Sequence, residues 1–277
     1  MDKQVLLVSN LIEAGKEGVA AMSPILSYMG FPASKLPTAL LSNSLDYEHF
    51  ELMDTTEHMR RTLKAWDALG FCFDAVAVGF IASSEQADLV GDYCSRYERE
   101  DACILVDPIM ADNGRLYRNL GGDTIASMRT LVSGASLSIP NYTEACLLTG
   151  TDHTTSPLAR READRLLDDL LALGPLSALV TSCLMEGVGH CVIGYDAFLD
   201  ERFVLPYEHV NANFRGTGDV FAAVLLGRLL QGQMLASSTQ CAMDAVREMI
   251  RQGAGARDPR LGLPIEELLE VVDEVMC

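Results

Sequence analysis

Asn213-Phe214-Arg215-Gly216-Thr217-Gly218-Asp219-Val220-Phe221-Ala222-Ala223 is a glycine-flanked loop that runs straight into an apolar helix. Val220, Phe221, Val224, Leu225, Leu229 and Leu230 recur with helical spacing. Glycines at a helix start let a ligand approach the backbone and leave the first N–H groups available. Those N–H groups and the helix dipole favour an anion. A carboxylate beside an anion site repels the anion. It makes chemical sense if Asp219 takes a proton from a hydroxyl that then attacks a phosphate, which points to a phosphotransferase. The same residues also suit a plain helix start, with Thr217 as the cap and Asp219 favoured by the dipole.

Outward from this stretch, short apolar runs alternate with helical patterns. Strands are expected at Val5–Ser9, Leu36–Leu41, Ala75–Phe80, Ala102–Val106, Ser136–Ile139, Ala178–Ser182, Gly189–Gly194 and Arg202–Leu205. Helices are expected at Gly18–Met29, Thr56–Leu69, Glu85–Tyr97, Tyr142–Leu148, Pro157–Leu173, Val220–Gln231, Ala236–Gln252 and Ile265–Val275. This alternation predicts an α/β fold: a mostly parallel central sheet, helices on both faces, and an antiparallel edge from Ala178 to Leu205. With no linker or repeat, residues 1–277 read as one domain. Ligands of open α/β sheets gather at the carboxyl ends of strands, which draws attention to Ser9, Ser42, Asp107, Asn141, Thr181 and Ser182.

Composition narrows the function further. A net charge of −18 argues against nucleic acid, whose phosphates call for clustered Lys and Arg. Lysine occurs only at Lys3, Lys16, Lys35 and Lys64. No apolar run approaches the ~18 residues of a membrane span, and Met1–Val5 lacks the plan of a signal peptide. The eight cysteines form no C-x-x-C pair, and several sit in apolar runs and read as buried reduced thiols, so a cytoplasmic location is expected. There is no G-x-x-x-x-G-K-[ST] loop, so main-chain amides would have to replace its lysine. His49, His58, His153, His190 and His209 are too scattered for a metal site.

Three phrases stand in a telling order: Val106-Asp107-Pro108-Ile109-Met110-Ala111-Asp112, then Pro140-Asn141-Tyr142-Thr143-Glu144-Ala145, then Gly216-Thr217-Gly218-Asp219. The order resembles the ribokinase superfamily. With Pro37-Thr38, Leu41-Ser42-Asn43 and Asn113-Gly114-Arg115-Leu116-Tyr117, the chain is most similar to the pyridoxal kinases. The resemblance runs from about Val5 to the end. It implies a ribokinase-like fold and an ATP- and Mg²⁺-dependent kinase acting on the 5-hydroxymethyl group of pyridoxal or a related vitamin B6 vitamer, in vitamer salvage. It implies that Asp219 is the base and that Gly216, Thr217 and Gly218 form the anion hole. It assigns Asn141, Glu144, Thr181 and Ser182 to the nucleotide phosphates, Asp107 and Glu144 to the metal, and Ser9, Thr38 and Ser42 to the pyridine pocket. A monovalent cation is a further candidate cofactor, and a homodimer is implied, with Ile25, Leu26 and Met29 as an apolar face that could contribute.

Each residue also has a plainer reading. Asp107-Pro108 suits a turn, Asn141 and Glu144 have the spacing of a capping box, and Thr181 and Ser182 suit an ordinary strand end. The first strand-loop departs from the family. Asn10 stands where a histidine is usual, Glu17-Gly18 where Gly-Asn is usual, and an acidic Glu13 lies nearby. Glu13 is therefore expected to edge the acceptor pocket. A hydroxymethylpyrimidine kinase or another small-alcohol kinase is the alternative within the superfamily; a non-catalytic nucleotide- or vitamer-binding protein is the alternative outside it.

Overall fold

The computed structural model describes residues 3–96, 102–118, 120–210, 214–255 and 258–275. Asn213, and Tyr97 at the end of one expected helix, lie outside them. In chain order the elements are β1 (Val5–Ala14), α1 (Val19–Tyr28), β2 (Ala33–Asn43), β3 (Leu52–Asp54), α2 (Thr56–Leu69), β4 (Ala75–Val78), α3 (Ser84–Cys94) and β5 (Cys103–Val106). Then come β6 (Ala111–Asp112), β7 (Arg115–Leu116), α4 (Gly122–Ser133), β8 (Leu137–Ser138), α5 (Tyr142–Thr149) and α6 (Arg160–Leu171). The chain ends with β9 (Ser177–Met185), β10 (Gly189–Asp196), β11 (Glu201–Pro206), α7 (Thr217–Leu230), α8 (Leu235–Gly253) and α9 (Val271–Glu274).

Contacts divide the chain into two units, one of Met1–Ala82 with His209–Cys277 and one of Ser83–Glu208. In the first unit the strands run in the order β4-β1-β2-β3. β1 pairs parallel with β2 and β4, while the short β3 pairs antiparallel with β2 as an edge. Val5, Leu6, Leu7 and Val8 are buried without alternation, as a strand packed on both faces requires. α7 is buried over almost its whole surface and packs on α1 and α8. Gly227 permits the close approach to α1, because a Cβ there would lie 2.4 Å from the Met29 sulfur. Ile25 and Leu26 are fully buried and the half-buried Met29 packs on Gly227, so most of the apolar face of α1 is core of this unit.

In the second unit the order is β11-β10-β9-β8-β5. β5, β8 and β9 are parallel, and β10 and β11 continue antiparallel, the edge expected from Ala178–Leu205. β9 does not stop at Ser182. It runs on to Met185 through a bulge, where Cys191 pairs with Cys183 but Ile193 with Val180. Ser182 takes φ 58° there, an uncommon value for a residue with a Cβ.

Among the described residues no helix is long and apolar enough to cross a membrane. Cys72, Cys94, Cys103, Cys146, Cys183 and Cys191 are free. Cys241 is disulfide-bonded, so the reduced state expected of buried cysteines does not extend to it.

Candidate active site

In the first unit the site is built on the start of α7. Gly216 precedes it with φ 77°, a left-handed backbone that glycine adopts without strain. No side chain caps the helix. Thr217, expected as a possible cap, instead turns its Oγ1 back to the Phe214 carbonyl at 3.4 Å. Asp219 lies in the first turn and is buried. Its carboxylate accepts a hydrogen bond from the Gly18 N–H. Burial raises its pKa to about 7, and the nearby Glu17 charge pushes the same way against the Gly18 bond. A carboxyl that exchanges its proton near neutrality is suited to general-base work.

The loop Lys16-Glu17-Gly18 faces this helix start. A Cβ on Gly216 would lie 1.9 Å from the Lys16 carbonyl oxygen, so the two backbones touch. Gly18 has φ 56°, and a Cβ there would lie 2.4 Å from the Asn10 carbonyl oxygen. Leu11 and Gly18 form an isolated antiparallel bridge. The end of β1 therefore curls back under the loop. Lys16 is paired with Glu266, and Arg215 with Asp46.

The three hydroxyls assigned to the acceptor pocket also lie in this unit, and each is tied into the backbone. Ser9 is buried; its Oγ accepts the Phe80 N–H at 3.1 Å and donates to Asn10 Oδ1 at 3.2 Å. Thr38 Oγ1 donates to the Phe80 carbonyl at 2.7 Å. Ser9 and Thr38 thus hold one residue just past β4 from both sides. Ser42 accepts the Glu51 N–H at 2.8 Å and donates to Asn43 Oδ1 at 2.6 Å. Glu13 is exposed at the end of β1. The acid near Asp219 is Glu17, four residues on. In the sequence Glu17-Gly18 departs from the family pattern, but the acid expected at the pocket edge is Glu13.

In the second unit Asn141 and Glu144 form a full capping box. Asn141 Oδ1 accepts the Glu144 N–H at 3.0 Å, and Glu144 Oε2 accepts the Asn141 N–H at 2.9 Å. The remaining oxygen, Oε1, accepts the N–H groups of Met110 at 3.0 Å and Ala111 at 3.3 Å. Asn141 Nδ2 donates to the Ala111 carbonyl at 2.8 Å. Burial holds the Glu144 pKa well above the usual carboxylate range, with three backbone donors and the Asp112 charge acting on it. Asn141 bridges to Thr181, whose N–H donates to the Pro140 carbonyl at 2.9 Å. Ser182 follows at the bulge, and its hydroxyl donates to the Tyr207 oxygen. The structure therefore brings Asn141 and Glu144, just past β8, beside Thr181, with Ser182 next to it at the bulge inside β9 and not at the strand end expected. Asp107 ends β5 in a turn, with the Ile109 N–H on its carbonyl at 2.8 Å.

Among the described residues no three His, Cys, Asp or Glu side chains gather as a metal cage. Mg²⁺ does not need one, since it keeps waters and binds through one or two carboxylates plus substrate phosphates. Asp107 is half-exposed at a strand end. A carboxylate offers about four lone-pair sites; three backbone donors leave Glu144 roughly one for a metal-bound water. The donor set fits that ion.

The phosphomethylpyrimidine kinase family profile matches residues 28–260. The pyridoxine/pyridoxal/pyridoxamine kinase of Bordetella avium is 30% identical over 241 residues, covering 83% of this chain and 79% of its own. A Bacteroides thetaiotaomicron protein assigned as a phosphomethylpyrimidine kinase and crystallised with pyridoxal superposes with a TM-score of 0.91 at 31% identity, over 99% of this chain and 96% of that one. The Leishmania donovani pyridoxal kinase, solved with ADP and pyridoxamine, shares the fold at a TM-score of 0.84 and 22% identity, over 98% and 96% of the two chains. This chain belongs to the phosphomethylpyrimidine kinase family, within the ribokinase-like group that includes the pyridoxal kinases.

Proposed function

We propose that the protein is an ATP-dependent kinase that phosphorylates the 5-hydroxymethyl group of vitamin B6 vitamers. The observation that carries this reading is Asp219: a buried carboxyl, poised near neutrality, in the first turn of a helix whose start no side chain caps. A pure binding protein gains nothing from a base beside an anion site. Asp219 would take the hydroxymethyl proton as the alkoxide oxygen bonds to the γ-phosphorus and the bond to the β-phosphate oxygen breaks. ADP leaves, and the proton passes from Asp219 to water. The Gly216–Gly218 amides would hold the transferred phosphoryl group, since such transfer depends on positioning and charge neutralisation.

Asn141, Glu144, Thr181 and Ser182 would serve the nucleotide phosphates. Asp107 and Glu144 would hold Mg²⁺, which neutralises charge on the phosphates. Ser9, Thr38 and Ser42 would set the walls of the acceptor pocket through the backbone they fix. Residues 1–277 would work as one kinase domain in the cytoplasm, in vitamer salvage, as a homodimer. Leu52 and Met53, 40% and 62% exposed on the edge strand β3, are apolar surface suited to a second copy. Light scattering should give twice the 30.1 kDa chain mass; a monomer mass refutes the dimer.

The test of function is ADP release from ATP and Mg²⁺ with pyridoxal, pyridoxine, pyridoxamine or 4-amino-5-hydroxymethyl-2-methylpyrimidine. Turnover confined to the pyrimidine would favour the second reading, a hydroxymethylpyrimidine kinase, which the family match at residues 28–260 supports. Absence of turnover with all four would refute the kinase reading.

A further inference from the structure

Glu17 takes no part in the proposed phosphoryl transfer, yet its charge reaches Asp219. It precedes Gly18, whose N–H holds Asp219, so the two acids flank one peptide link. The Gly216 backbone packs against it, and a Cβ on Gly216 would lie 3.4 Å from the Glu17 Cα. The Ser44 hydroxyl hydrogen-bonds the Glu17 carboxylate, but Oε1 is buried without a hydrogen-bond partner. Arg215, the cation whose charge reaches Glu17, is ion-paired with Asp46. A buried acceptor oxygen with no donor is costly and calls for one.

We propose that Glu17 selects the acceptor: Oε1 takes a hydrogen bond from an N–H or O–H donor on the ring carbon next to the one bearing the reacting hydroxymethyl group. The proposal rests on Asp219 receiving that hydroxymethyl group. A carboxylate one residue from the Asp219 contact would then be in reach of the neighbouring ring substituent. Ionised carboxylates only accept hydrogen bonds. Pyridoxamine offers an ammonium there, pyridoxine a hydroxyl, and the aminopyrimidine an amine. Pyridoxal offers an aldehyde, which has no donor. The shared feature is a donor next to the hydroxymethyl group, on either a pyridine or a pyrimidine ring.

The experiment measures equilibrium binding and steady-state kinetics of these four compounds with wild type, Glu17→Gln and Glu17→Ala. Wild type should favour each donor-bearing compound over pyridoxal by roughly tenfold, as a hydrogen bond to a charged group allows. Glu17→Ala should erase that preference, chiefly in Kd and KM, and leave kcat for pyridoxal within about threefold when measured well above pH 7, where Asp219 is ionised with or without the Glu17 charge beside it. Glu17→Gln keeps the shape of the side chain and carries the comparison if the alanine variant does not fold. An unchanged donor-to-aldehyde ratio in a folded variant overturns the role of Glu17. Absence of turnover in wild type defeats the kinase reading instead, and the binding ratios still decide for or against Glu17.

Discussion

The Gly18 main-chain N–H donates to the carboxylate of Asp219, linking the start of α1 to the start of α7. Nothing in a helix cap requires that bond. It fixes the Asp219 carboxyl in one orientation, which a base needs and a dipole partner does not.

Replacing Asp219 with Asn should therefore separate the two roles. The hydrogen bond from Gly18 can survive on the amide oxygen, but proton uptake cannot. We expect kcat to fall by roughly 10²–10⁴, with ATP affinity close to wild type. Near-normal turnover in the folded variant would reduce Asp219 to helix electrostatics.

The pH dependence of stability gives an independent check. The Asp219 pKa is raised to about 7 from an ordinary 3.8. Between these values the folded state binds more protons than the unfolded state, so stability falls as pH rises. The contribution is fully present below about pH 4, the unfolded value, and is lost as pH rises through about 7. Asp219→Asn removes this dependence. Its melting temperature should exceed wild type by several degrees at pH 8 and match it near pH 4, since ~1 kcal/mol moves a chain of this size by roughly 2–4 °C. A pH-independent difference would contradict the burial of the charge. Activity should show the opposite slope, with kcat/KM rising as Asp219 ionises.

Much of the architecture was legible because its signals are local. α2 lies at Thr56–Leu69 as read, because Met59 and Leu63 mark a buried stripe on an otherwise polar helix. α4 is not legible: its buried Ser127, Met128, Leu131 and Val132 have helical spacing, but Gly121, Gly122 and several Ser and Thr residues mask it. β3 shows no alternation because all three of its residues are exposed. Ile265–Val275 reads as one helix, since Ile265, Leu268, Val271 and Val272 are all buried at helical spacing. The chain instead forms a 3-10 turn at Ile265–Glu267 and then α9. In the site, Asp219 and the Asn141–Glu144 spacing announced themselves. The place of Glu17 did not, because an acid before a helix also satisfies the dipole, and only its packing on Gly216 and its charge near Asp219 reveal its neighbours.

Gly216→Ala should be far worse than an ordinary loop substitution. The residue has φ 77°, and the new methyl would meet the Lys16 carbonyl at 1.9 Å. The backbone must move, and such a displacement near the chemistry can cost about 10²-fold in rate. We expect that loss in kcat together with a lower melting temperature. Wild-type behaviour in both would show that the two loops do not touch.

Glu144→Gln tests whether the capping box also serves the metal. The amide NH₂ would face a backbone N–H now bonded to a carboxylate oxygen, at a cost of about 1–3 kcal/mol. The melting temperature should drop by several degrees, and the Mg²⁺ concentration for half-maximal rate should rise. A drop in stability with unchanged Mg²⁺ dependence would leave Glu144 with the cap alone.

The two glycine contacts on the Lys16–Gly18 loop have a consequence for redesign. Gly18 against Asn10, and Gly216 against Lys16, lock the loop by backbone alone. Most positions there offer a mutant library nothing but damage. Glu17 is the exception, a side chain on a path that its neighbours already hold. A small set of substitutions at that one codon, with the glycines left untouched, is where a search for altered acceptor range should begin.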